Sequence, residues 1–204
     1  MHEWRRSRFG NPSTWYLILG VALIGVTLWL PWLAATRTVR IEGRAARIAE
    51  LLLAAATPLS WPLDADDIEH MHGRMVALLN ADGVFVGDLE PLPELPAGVL
   101  YLGQNKHYAF QLAVSPPDSR TKAGPDTRPA LEVLAWPLEN SGPGHCAWFV
   151  AENAPRAYTR NLAADYHGLQ QHRPRPGSAQ RVPGTGAGVV SAYRAAQDER
   201  WILF

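Results

Sequence analysis

Residues 9–36 carry no charged side chain, and within them residues 15–35, WYLILGVALIGVTLWLPWLAA, are almost wholly apolar. No other feature limits what this chain can fold into as strongly. A helix rises about 1.5 Å per residue, so about 20 residues cross a hydrocarbon layer roughly 30 Å thick. A core helix of a soluble domain would be shorter or would show a polar face, and this run does neither. A cleaved secretory signal is imitated by Arg5, Arg6 and Arg8 ahead of the run and by Pro31 before Leu33-Ala34-Ala35. Its apolar region is too long for one, however, and Leu33 is large where the cleavage site takes a small residue. The spacing therefore predicts a transmembrane helix over residues 15–35 behind a basic tail over residues 1–14, with the lipid bilayer as its partner.

The flanks fit a bilayer. Trp15 and Tyr16 at one end, and Trp29 and Trp32 at the other, put amphipathic rings at headgroup level. Asn11, Pro12 and Ser13 suit a helix start, and Pro31 is placed to bend the helix or end its regular part. Arg5, Arg6 and Arg8 on one side are answered by Arg37, Arg40, Arg44 and Arg47 on the other, so the positive-inside count does not choose an orientation. A long domain translocates largely regardless of its charge. The expectation is a single-pass protein of a bacterial inner membrane, with its N-terminus in the cytoplasm and residues 36–204 outside it.

Those residues are numerous enough for one domain with its own core. Lys+Arg and Asp+Glu each total 19, a formal net charge of zero, so nothing points to nucleic acid as a partner. Charge is unevenly spread. Between residues 57 and 105, Asp64, Asp66, Asp67, Glu69, Asp82, Asp88, Glu90 and Glu94 face only Arg74. Such a segment is either a solvated face or one half of a head-to-tail subunit contact. Cys146 is the only cysteine, so no internal disulfide forms, and its place in the apolar run CAWFV reads as a small packed hydrophobe.

Beyond the span, Ile41, Ala45, Ile48, Leu52 and Ala55 recur at steps of four and three, which predicts an amphipathic helix continuing the membrane helix and ending at Pro58. A second helix is expected from about Asp64 to Asn80. Its first turn carries carboxylates, Ile68, Met71, Met75 and Leu78 share one face, and Ala81-Asp82-Gly83 closes it. The period then turns extended, with strands expected at 84–89, 99–103, 108–114, 131–137 and 146–152, joined by Pro/Gly-rich turns too short for crossover helices. The fold class read from this pattern is α+β, an N-terminal transmembrane helix continuing into an amphipathic helix packed on a small antiparallel sheet. Ile41, Ile48 and Leu52 of the helix are expected to meet Tyr108, Phe110, Trp136, Trp148 and Phe149 of the sheet. Residues 172–188, rich in Pro, Gly and Arg, read as a flexible loop, and VVSAYRAA and RWILF as a returning strand or short helix.

This layout is similar to that of type IV pilin-like proteins and type II secretion pseudopilins. The order Tyr108-Ala-Phe, Leu131-Glu-Val-Leu-Ala-Trp-Pro137, Ser141-Gly-Pro-Gly144 and Trp148-Phe149-Val150 resembles their sheet, in which a strand ending Ala-x-Pro precedes a glycine turn and a Phe-centred strand. The resemblance implies a structural or assembly subunit of an envelope filament or secretion apparatus, with other pilin-like or secretion-system subunits as partners. Pilin precursors carry a glutamate at the fifth mature position, whereas Trp15 stands fifth after Gly10 here. An anchored sensor or ligand-binding module that does not polymerise is the alternative.

No pattern for chemistry competes with this. His70 and His72, two apart on a helix, point about 200° away from each other. His145, His167 and His172 fit neither H-E-x-x-H nor C-x-x-C spacing. Gly184-Thr-Gly-Ala-Gly188 has Val189 where the third glycine of a dinucleotide loop would stand. No serine sits in G-x-S-x-G, and His145 beside Cys146 would point to the opposite face of a strand. The expectation is no catalytic residue, no cofactor and no metal.

Overall fold

The computed structural model describes residues 12–58, 65–83, 89–115, 130–142, 144–152, 154–180, 192–195 and 198–203. Residues 1–11 of the basic tail, most of the strand expected at 84–89 and residues 181–188 of the expected loop lie outside the described residues. The chain divides into two compact units, Met1–Val39 and Arg40–Phe204.

Helix α1 covers Pro12–Ala56 and includes Pro31. In the first unit its residues 15–35 are exposed all round, Trp15, Tyr16, Trp29 and Trp32 among them. This is the one helix among the described residues long and apolar enough to cross a membrane. The hydroxyls it carries are bonded back onto the helix, Thr27 Oγ1 to the Ile24 carbonyl and Thr36 Oγ1 to the Leu33 carbonyl, each at 2.9 Å. A polar group in hydrocarbon needs such a partner from its own segment.

The second unit is α+β. Its helical layer is the end of α1 and helix α2 (Ala65–Ala81), with Asp66 and Asp67 in the first turn of α2. The chain leaves α2 through Gly83, whose φ of 72° suits a residue without a Cβ. Eight strands follow: β1 (Glu90–Pro91), β2 (Val99–Gln104), β3 (Tyr108–Val114), β4 (Leu131–Pro137), β5 (Ala147–Ala151), β6 (Ala154–Thr159), β7 (Ala192–Arg194) and β8 (Arg200–Leu203). They form one sheet in the order β1-β2-β3-β4-β5-β6-β8-β7, each neighbouring pair antiparallel. Strands β1 to β6 lie side by side in chain order. Between β2 and β3, Asn105 Oδ1 accepts the backbone N–H groups of His107 and Tyr108 at 2.8 Å, a side-chain-made turn.

Both faces of the sheet are buried. On one, Ala45, Ile48, Ala49, Leu52, Ala55 and Ala56 of α1, with Met71, Met75 and Leu79 of α2, pack on Tyr108, Phe110, Leu112, Leu131, Val133, Ala135 and Val150, while Ile41 and Trp148 flank this core half-buried. On the other face, Leu134, Trp136, Ala147, Phe149, Ala157 and Trp201 form a second core under Tyr166, Ala179 and Ala195.

Of the helix–sheet contacts expected from the sequence, Ile41, Ile48, Leu52, Tyr108, Phe110 and Trp148 therefore lie together, whereas Trp136 and Phe149 do not. Successive strand residues point to opposite faces, so Phe149 opposes Trp148, and the pairing of Ala109 with Trp136 in the β3–β4 register places that indole on the far face. The expected loop at 172–188 differs as well, since within its described part Ser178 and Ala179 are buried and Gly177 donates to Glu132.

Candidate functional site

In the second unit one group of polar side chains surrounds Cys146 and another carries a histidine pair. The first fastens α1 to the domain. Glu42 Oε1 accepts the backbone N–H groups of His145 at 3.0 Å and Cys146 at 3.2 Å. Arg47 grips Asp82 with two bonds of 2.8 and 2.6 Å and reaches Glu50 at 2.9 Å, and Glu50 also meets Arg156 at 2.5 Å. The Arg47 guanidinium holds the Asp82 carboxyl below its usual range. Burial, and then the nearby Glu42 charge, push the Cys146 thiol up to about 12, so it stays protonated near neutral pH and is a poor nucleophile. Tyr108, whose hydroxyl donates to the Cys146 carbonyl at 2.9 Å, is fully buried beside it. Gly144 belongs to the same contact, because a Cβ there would lie 2.6 Å from the Tyr108 ring.

The second group lies in the connection after β6. Glu199, nearly fully buried, accepts the backbone N–H groups of Ala163 at 2.8 Å and Ala164 at 2.6 Å, and also bonds the Thr159 hydroxyl. Asn161 pairs with the Tyr166 backbone like a short piece of strand, Nδ2 donating to its carbonyl at 2.7 Å and Oδ1 accepting its N–H at 2.6 Å. Tyr166 is buried in the second core. Trp136 Nε1 donates to the Gly168 carbonyl at 2.7 Å, and Gly168 N–H to the Pro137 carbonyl at 3.2 Å. The connection is thus tied at successive points to β4, β6 and the Glu199 segment.

On it the chain brings together Asp165, His167 and His172, with one ligand atom of each within 4.8 Å of the others. His167 and His172 are direct partners across an isolated antiparallel bridge, and their rings stack with centroids 4.2 Å apart and planes 21° from parallel. The Asp165 carboxylate lies 3.6 Å from His167 Nδ1 and 3.9 Å from His172 Nδ1. His167 Nδ1 is also 2.8 Å from the Asp165 carbonyl oxygen. A carbonyl only accepts, so that nitrogen carries the proton of the neutral ring and Nε2 carries the lone pair.

His70 and His72 diverge, His70 Nδ1 lying 2.7 Å from the Asp66 carbonyl oxygen and the His72 ring 6.2 Å from that of Tyr101. The cluster at 165–172 is the one set of three such ligands within reach of a single ion among the described residues. Fixed metal-motif spacings do not select it. The signal that was present is the return of His after four residues containing a glycine, Gly168, which has a φ of 63° and permits a tight reversal.

Compared with protein-family models, with characterised proteins and with solved structures, the chain gives no match in any of the three.

Proposed function

We propose that the protein is a single-pass, membrane-anchored, pilin-like structural or assembly subunit of an envelope filament or secretion apparatus, with residues 36–204 outside a bacterial inner membrane. One observation carries this reading. Helix α1 supplies both an exposed, all-round apolar length at residues 15–35 and, from Ala45 to Ala56, the helix that covers one face of an antiparallel sheet. Using one helix both as anchor and as core element suits a subunit whose membrane segments gather side by side. The fastening of that helix agrees, since Arg47 pairs with Asp82 and Glu50, and Glu50 with Arg156.

The test is crosslinking in membranes. A photoreactive residue is placed at Leu28 or Val39, both exposed, in the full chain expressed in its own envelope. A ladder of self-adducts, or one adduct with a second membrane subunit, is expected. If illumination and native electrophoresis return monomer alone from both positions, the assembly role is lost.

A further inference from the structure

We propose that Asp165, His167 and His172 bind one divalent transition-metal ion of the zinc class, a site independent of the assembly role.

Donor chemistry selects the metal. Two imidazoles and one carboxylate suit zinc, copper(II), nickel(II) or cobalt(II), whereas calcium and magnesium require a shell of oxygens. Bonds of about 2.1 Å at tetrahedral angles place neighbouring ligand atoms roughly 3.4 Å apart. One ligand atom of each residue lies within 4.8 Å of the others, which leaves a contraction that side-chain rotation supplies.

The backbone is already arranged for chelation. Directly opposed residues of an antiparallel bridge project to the same face, so the two imidazoles leave the chain side by side. The bond from His167 Nδ1 to the Asp165 carbonyl does what a second-layer partner does in metal proteins, fixing the tautomer and turning Nε2 outward as the ligand. Below the cluster, the Trp136 and Asn161 bonds and the buried Tyr166 hold the loop, so little chain order has to be created on binding. The two rings lie stacked, with their planes 21° from parallel. Binding turns the His172 ring out of the stack to converge with Nε2 of His167; its side chain is the more exposed of the two, 47% against 29%. Three protein ligands leave a fourth position for water or an outside donor, as in zinc sites that are not closed.

The experiment uses cobalt(II), whose visible absorption reports coordination, added to the untagged full chain in detergent micelles, with zinc as competitor. Saturable binding of one ion per chain is expected, displaced by zinc, together with changes in the ring resonances of His167 and His172. His172→Ala, which removes a half-exposed side chain, and His167→Ala should each weaken binding at least about 100-fold, since even second-layer losses cost up to that much. The double variant His70→Ala, His72→Ala should leave it unchanged. No saturable binding, or binding that His172→Ala leaves intact while circular dichroism shows the fold retained, overturns the site.

Discussion

Glu132 is the residue with the most unusual position in the fold. It lies on central strand β4 and is completely buried, yet it accepts from the Ser115 hydroxyl at 3.0 Å and from the Gly177 backbone N–H. It therefore clips the segment after residue 172 onto the sheet. Burial raises its pKa from an ordinary 4.5, and the bonds from Gly177, Ser115 and Gln180 offset only part of that. A raised folded-state pKa means that the neutral acid is favoured by folding. The resulting stabilisation is complete below the unfolded value of about 4.5 and is lost as pH rises through the folded value. In Glu132→Gln the side chain no longer titrates. The unfolding free energy of the natural chain minus that of the variant should therefore fall as pH climbs above 4.5 and level off once the carboxyl is ionised, measured by urea denaturation across that range. Groups shifted the other way, such as Asp82, cancel in the difference. A difference that rises with pH would mean that a positive partner, not burial, governs this carboxyl.

At the scale of elements, one helix does two jobs with two kinds of surface. Leu52 is completely buried against the sheet, while Leu28 is 71% exposed along the apolar run. Leu52→Ala should cost about 2–5 kcal/mol of domain stability, the usual loss for a buried leucine whose site cannot collapse. Leu28→Ala should change it by less than about 0.5 kcal/mol, as at an uncommitted surface. Near-ultraviolet circular dichroism during denaturation of the detergent-solubilised chain reads both, and equal costs would contradict the division of labour. The helical periods and strands β2 to β5 were legible because each is a periodic or apolar run between Pro/Gly turns. Strand β6 was not, since Pro155 lies inside it and half its residues are exposed. The two faces of the sheet were harder still. Strands β3 and β4 are buried on both sides, so their apolar runs show no alternation to say which residues meet α1. Only the opposition of adjacent Trp148 and Phe149 followed from strand period alone. The loop bearing Asp165, His167 and His172 depends on side-chain bonds such as Glu199 to Ala163 and Asn161 to Tyr166, which leave no period in a sequence.

For the whole molecule, the division at Val39 and Arg40 separates an exposed apolar helix from a unit with two buried cores. The first unit exposes Trp15, Leu19, Leu23, Ile24, Leu28 and Trp32, more contiguous apolar surface than a soluble monomer sustains. In the second unit Trp136, Trp201, Tyr108 and Phe110 are fully buried in two cores. The apolar part of α1 is long and apolar enough to cross a membrane, and its last turns contribute to the fold of the domain. The full chain should sediment with membranes after lysis, resist extraction by alkaline carbonate and enter solution only with detergent. A chain of residues 40–204 retains every described residue of both cores and should remain in the supernatant, with strand and helix content by far-ultraviolet circular dichroism matching the full chain less its span. A full-length product found free in the supernatant would show that the apolar helix is not solvated by lipid. A 40–204 chain that pelleted or failed to fold would show that the domain relies on the span for more than attachment, because none of the described core side chains would have been removed.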